Sequence, residues 1–234
     1  DVLGQVIGDK LPEDEVLRDM MIRSYDILVN HPINVERKKK GLNPANSLWF
    51  WGAGTKPALT SFEGKTHKSG AMISAVDLLK GIAVGAKMKV ILVDGANGGL
   101  NTNYEGKANA AVNTLVNDGT DFVYVHLEGP DEMGHQGSME RKIKAIENLD
   151  SKIIKPIYEG VTNAGEDIRL LIMPDHPTPI KIRTHTDEPI PYMLYDSTKD
   201  LSGKEHLTYN EKNAKVSGIF EENGYHLIDK LLEL

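Results

Sequence analysis

The 234 residues are 40% hydrophobic and 26% charged, with a formal net charge of −7. That length suits one large domain or a domain with a smaller attachment, and the acidic balance argues against a protein whose main work is binding nucleic-acid backbone, which needs clustered Lys and Arg. The chain has no cysteine, which excludes disulfide frameworks, thiolate metal sites and cysteine nucleophiles. It shows no basic-then-apolar leader pattern and no apolar run approaching the roughly 18–20 residues a bilayer demands. A soluble, cytoplasmic chain with no nucleic-acid or membrane partner is expected.

Residues 1–12, with Gly4, Gly8 and Pro12, read as an irregular lead-in. Pro12-Glu13-Asp14-Glu15 then opens an amphipathic helix, because proline and acids suit the free N–H groups and dipole of a first turn. Val16, Leu17, Met20, Met21, Tyr25, Leu28 and Val29 share one side of it, and Asn30-His31-Pro32 ends it, since the residue before proline resists the α region. Glu36-Arg37-Lys38-Lys39-Lys40 is the only basic run; it is either a solvated face or a phosphate-facing patch. Residues 41–68 are rich in Gly, Pro, Asn and Ser around an apolar run of strand length, Ser47 to Gly52, which carries both tryptophans. This segment reads as a linker or the wall of a cleft.

From Gly70 helices and strands alternate. Ala71 to Val84 has helical spacing, with Ser69 and Ser74 in capping positions. Met88–Val93 reads as a strand, Gly106–Val116 as a helix, Asp121–Leu127 as a strand, Ser138–Tyr158 as one long helix, Ile168–Met173 and Ile190–Tyr195 as strands, and Gly218–Leu232 as a closing helix. Near-continuously apolar strands alternating with helices predict an α/β fold, with a mostly parallel sheet covered by helices on both faces.

Ligands of such sheets gather at the carboxyl ends of the strands. Asp131 and His135 follow the strand at 121–127, Asp175 and His176 follow the strand at 168–173, and His185 lies on the connection to the next. Asp and His are the ligand set of a borderline divalent ion such as Mn²⁺ or Zn²⁺, and paired metals are a standard device of phosphoryl transfer. On a helical turn Asp131 and His135 share a face and converge on one ion. Adjacent residues on extended backbone point apart, so Asp175 and His176 could serve two neighbouring ions. His126 and Glu128 sit where partners that orient metal ligands would stand. The glycine-rich loop Asp94 to Gly99 is no nucleotide loop, since Ala108 follows Lys107; Lys107 could still meet a phosphate. No nucleophile elbow is present.

Read together, His126-Leu127-Glu128-Gly129-Pro130-Asp131-Glu132-Met133-Gly134-His135, Pro174-Asp175-His176-Pro177-Thr178-Pro179 and Thr184-His185-Thr186 resemble the cofactor-independent phosphoglycerate mutases, archaeal-type branch, of the alkaline-phosphatase-like superfamily. Lys38 to Asn46, Trp51-Gly52-x-Gly54, Gly70 to Gly81 and Asn103-Tyr104-Glu105-Gly106-Lys107 extend the match over nearly the whole chain. The resemblance implies an alkaline-phosphatase-like domain over 67–234, preceded in 1–66 by the remnant of an inserted α/β substrate domain. It also implies two Mn²⁺ or Zn²⁺ ions that activate a serine, which takes the phosphoryl group of 3-phosphoglycerate and returns it to the other hydroxyl of the glycerate. By this match Asp131, His135 and His185 hold one ion, Asp175 and His176 belong to the second, and Lys107 and Arg37 are candidate contacts to phosphate or carboxylate.

The chain also departs from that family, whose members carry a metal-ligating Asp and the nucleophilic Ser near their amino terminus; nothing here corresponds to either. It therefore resembles a carboxyl-terminal portion. The expectation is an incomplete second metal site, no mutase turnover, and missing strands whose exposed neighbours favour self-association. Two alternatives stay open. One is a metal-dependent phosphatase or phosphonate-processing enzyme on the same cradle, because function lives in substrate contacts rather than the fold. The other is a non-catalytic metal-binding fragment.

Overall fold

The computed structural model describes residues 5–52, 54–199 and 208–233. Gly4 of the lead-in and residue 53 of the Trp51–Gly54 run lie outside them. The chain divides into two compact units, one ending at Pro57 and one starting at Ala58; the sequence division was placed after residue 66.

In the first unit the described part of the lead-in, residues 5–12, is irregular apart from a 3-10 turn at Gly8–Lys10. Helix α1 (Glu15–Leu28) begins where the Asp14 carboxylate accepts from the Leu17 N–H at 2.9 Å, an N-cap that satisfies one of the first turn's free donors. Its buried side is narrower than the sequence suggests: Met21 and Ser24 are buried, whereas Val16, Met20 and Tyr25 are exposed. The basic run forms the last turn of a helix the sequence reading did not assign, α2 (Pro32–Lys39), where cations complement the carboxyl-terminal dipole.

The apolar run at 47–52 forms no strand among the described residues. This segment is held by side chains instead of a ladder: Asn34 bonds both the N–H and the carbonyl of Ala45, and the Ser24 hydroxyl accepts from the Leu48 N–H. Trp51 is 84% exposed, so it packs no core.

The second unit opens with α3 (Phe62–Thr66), capped by the Ser61 hydroxyl. The main departure from the sequence reading follows. Gly70–Ile73 is a strand, β1, and only Asp77–Gly85 is helical, α4. The spacing misleads because a central parallel strand is apolar throughout; Ala71, Met72 and Ile73 are all at most 5% exposed. Ser69 and Ser74 consequently cap no helix. Ser69 pairs with the Asp121 carboxylate at the start of the sheet, and Ser74 ends β1.

Strand β2 (Lys89–Ile91), helix α5 (Tyr104–Val112, capped by Asn103) and strand β3 (Phe122–Val125) follow. β1 lies between β2 and β3, parallel to both. Next come α6 (Gly129–His135), α7 (Met139–Leu149) and α8 (Lys155–Asn163). The expected long helix is interrupted by a π-type stretch at Asp150–Ile154, next to Pro156, whose missing N–H removes one rung of the helix. β4 (Arg169–Ile172) and β5 (Met193–Asp196) pair antiparallel with each other, where the sequence reading foresaw parallel neighbours. α9 (Glu211–Val216) was not foreseen, and the closing helix shortens to a 3-10 turn and α10 (Leu227–Leu232).

Alternation along a strand separates the two faces of the sheet. Ile73 joins Tyr104, Ala108 and Ala111 of α5, and Ile153, Ile157 and Val161 of the α8 region, in one core; Val123, Val125 and Leu170 pack against it. On the other face Phe62 of α3 stacks on Phe122 at 5.1 Å and lies against Gly70, where even a Cβ would come within 2.7 Å of its ring. The result is an α/β fold with a parallel sheet and helices. Among the described residues no helix is long and apolar enough to cross a membrane.

Ile73 is 1% exposed, so Ile73→Ala removes a methyl-rich side chain from the centre of this core. It should cost about 2–5 kcal/mol, read as a fall in the urea midpoint. Trp51→Ala should change stability by less than about 0.5 kcal/mol in the same measurement.

Candidate metal centre

The site forms where chain leaving β3 turns into α6 and where chain leaving β4 passes beside it. Pro130 near the start of α6 fits a first turn and places Asp131 there; His135 comes one turn later. The (i, i+4) spacing works as expected, with His135 Nε2 3.3 Å from one Asp131 oxygen. His185 Nε2, fifty residues on, lies 3.3 Å from the other Asp131 oxygen and 3.1 Å from His135 Nε2. The ligand atoms of all three residues fall within 4.8 Å of one another.

That donor set fits a divalent ion. Donors bound tetrahedrally at about 2.0–2.1 Å stand roughly 3.3 Å apart, close to the separations seen. The second nitrogen of His135 is 2.9 Å from the Arg183 carbonyl. A carbonyl only accepts, so Nδ1 carries the proton and Nε2 presents its lone pair to the cluster. Arg183 takes a left-handed φ of 61°, the kind of backbone strain that concentrates at functional sites. Its guanidinium lies over Gly137, where a Cβ would come within 2.4 Å.

Asp175 and His176 reach the same place from β4. The His176 ring stacks on His185 at 3.6 Å, which brings the β4 side against the Asp131–His135–His185 cluster; Asp175 joins it through His176 and is not among the three donors that converge. The pair does not point apart as extended backbone would have it: the chain bends there, and His176 Nε2 lies 3.3 Å from an Asp175 oxygen.

Lys107 and the β3 end form a second polar layer. Lys107 is 1% exposed and donates to the His126 carbonyl at 3.2 Å. Burial pushes its pKa down, opposed by Glu128. Burial pushes the Glu128 carboxyl up, and the Glu132 and Asp131 carboxylates add to that rise. Burial lowers the His126 imidazole, opposed first by Asp175; its Nδ1 lies 3.4 Å from the Ser74 hydroxyl. Arg37 belongs to the first unit, where its Nε donates to the Asn43 carbonyl at 2.7 Å. Glu36, Arg37 and Lys40 line an open groove there with Pro32, Ile33 and Leu42.

Thr178 and Lys142 have roles the sequence reading missed. The Thr178 hydroxyl donates to Asp131 Oδ1 at 2.5 Å and lies 3.3 Å from His176 Nδ1. Lys142 of α7 donates to the Thr178 carbonyl at 2.6 Å. The only signal in the sequence was the place of Thr178 two residues after His176.

Gly134 lets α6 lie flat on this segment: a Cβ there would sit 2.4 Å from the Thr178 carbonyl oxygen. Gly134→Ala should therefore destabilise by roughly 1–3 kcal/mol, seen as a lower melting temperature.

Comparison with known proteins agrees with this geometry. The family model described as the metalloenzyme superfamily matches residues 22–229. A 2,3-bisphosphoglycerate-independent phosphoglycerate mutase of Methanosarcina barkeri is 46% identical over 94% of this chain and 55% of its own length. A probable enzyme of the same name from Geobacter sulfurreducens is 43% identical over 100% of this chain and 58% of its own. Among solved structures, the PH0037 protein of Pyrococcus horikoshii matches with a TM-score of 0.70 at 31% identity, over 86% of this chain and 51% of that one. The cofactor-independent phosphoglycerate mutase of Thermoplasma acidophilum matches with a TM-score of 0.53 at 25% identity, over 94% and 51%. The chain thus spans about half the length of the relatives it matches. With a metalloenzyme family model running through both ligand-bearing segments, the chain belongs to the metalloenzyme superfamily.

Proposed function

We propose that this chain is part of a metal-dependent phosphoglycerate mutase that interconverts 3-phosphoglycerate and 2-phosphoglycerate without bisphosphoglycerate. The observation that carries this reading is the convergence of Asp131, His135 and His185 within 4.8 Å, with His176 stacked alongside. The names of the relatives supply the substrate.

In this reading Asp131, His135 and His185 hold one divalent ion, and Asp175 and His176 contribute to a second whose remaining ligands come from elsewhere in the complete protein. Mn²⁺ or Zn²⁺ bound there would supply Lewis-acid polarisation of a phosphoryl oxygen and activation of a nucleophile at neutral pH. The protein's own part is to hold the donors. The Arg183 carbonyl accepts from His135 Nδ1 and turns Nε2 toward the cluster, and the first turn of α6 presents the Asp131 carboxylate. Arg37 is assigned to the substrate's phosphate or carboxylate. Lys107 is likewise a candidate contact to phosphate or carboxylate, with its ammonium buried and donating to the His126 carbonyl in this structure. The nucleophilic serine is assigned to sequence outside this chain, because Ser74, at the sheet's carboxyl edge, is buried and its hydroxyl accepts from the Val76 N–H.

The test is a coupled 3-phosphoglycerate assay with Mn²⁺ and no bisphosphoglycerate, on this chain and on one extended upstream. The extended protein should turn over and this chain should not. Full turnover by this chain would overturn the assignment of the nucleophile. An extended protein that hydrolyses simple phosphomonoesters but does not isomerise phosphoglycerate would be a phosphatase on the same cradle.

Metal stoichiometry gives an independent check. This chain should retain about one tightly held divalent ion, and His185→Ala should weaken it more than about 100-fold, beyond the 10–100-fold typical of partners that only support a ligand. Titration of the metal-free protein reads both.

A further inference from the structure

We infer that Thr178 is a positioning residue of the metal centre, its hydroxyl joining the α6 ligand Asp131 to the β4-side ligand His176. This rests on the reading that these residues hold divalent metal.

Thr178 is 4% exposed, and a buried hydroxyl needs its hydrogen bonds satisfied. A threonine hydroxyl has one proton and two lone pairs. Asp131 Oδ1, at 2.5 Å, is a carboxylate oxygen and takes that proton. His176 Nδ1, at 3.3 Å, is then left to donate to the hydroxyl. The chain of donors runs from His176 Nδ1–H to the Thr178 hydroxyl to Asp131.

Two consequences follow. The Asp131 carboxylate is held at Oδ1 by the Thr178 hydroxyl, with its other oxygen turned toward His135 Nε2 at 3.3 Å. His176 is held with Nδ1 as the donor, which leaves Nε2, 3.3 Å from an Asp175 oxygen, as the nitrogen to ligate, the same choice that the Arg183 carbonyl makes for His135. Hydrogen bonds of this kind orient metal ligands and tune their basicity.

The hydroxyl is itself fixed. Lys142 clamps the Thr178 carbonyl at 2.6 Å, and α6 packs on that same carbonyl at Gly134. Thr178 therefore cannot swing away without breaking a helix contact.

The test compares the parent with Thr178→Val, which keeps the shape and removes the hydroxyl, and with Thr178→Ser, which restores it. Two readouts are taken on the folded chain. One is Mn²⁺ or Zn²⁺ affinity by titration. The other is the tautomer of His176 in metal-free protein, from the ¹⁵N shifts of its ring. The valine variant should bind metal 10–100-fold more weakly and lose the Nδ1–H bias; serine should recover both. Unchanged affinity and tautomer in the valine variant would overturn the inference. If the parent binds no metal while its His176 tautomer still depends on the hydroxyl, the metal reading fails and the positioning contact survives. Should the valine variant not fold, Thr178→Ala removes the same hydroxyl with less bulk and is read in the same way.

Discussion

The site depends on one contact, the face of α6 laid on the backbone at Thr178. Among the described residues β3 pairs only with β1, and β4 only with β5. The strand that delivers Asp131 and His135 and the strand that delivers Asp175, His176 and His185 therefore share no ladder to set their spacing. Two things set it instead. The α5 and α8 side chains form a common core under both pieces, and Gly134 allows helix and backbone to approach closely enough for Lys142 and the Thr178 hydroxyl to bridge them. A side chain at 134 would push the two ligand groups apart before any metal chemistry began.

Electrostatics then give the site its sign. At the carboxyl edge of the sheet, Glu132, Asp131 and Asp175 add to the upward push of burial on Glu128, and Asp175 and Asp131 oppose the burial that lowers His126. Lys107, buried beneath them, opposes the upward push on Glu128. The carboxylate excess fits a bound cation, the largest local charge such a site would hold. The buried position of Lys107 explains why a lysine at this edge is not simply a surface phosphate contact: its ammonium already supports the carbonyl at the end of β3.

Much of the architecture was legible in the sequence because its signals are local. The opening of the first helix at Pro12–Glu15, the β3 and β4 apolar runs and the spacing of Asp131 and His135 each act within a few residues. The failures share a cause as well. Gly70–Ile73 looks helical by period, yet it is the middle strand, because pairing on both edges outweighs local spacing. The Trp49–Trp51 run has strand length, yet among the described residues it has no ladder partner, and side chains from Asn34 and Ser24 hold its approach. The single helix expected at 138–158 ignored Pro156.

The sequence by itself determined which donor types the chain offers. The donor types, their attachment to strand ends and the absence of cysteine are all readable without coordinates, because ligand identity is a property of side chains. Only the tertiary structure decided which donors meet. His185 reaches Asp131 across fifty-four positions, His176 turns back onto Asp175 and stacks on His185, and Thr178 couples the two groups. None of these contacts has a local period or motif, since each depends on how helices pack over a sheet whose pieces share no strand pairing.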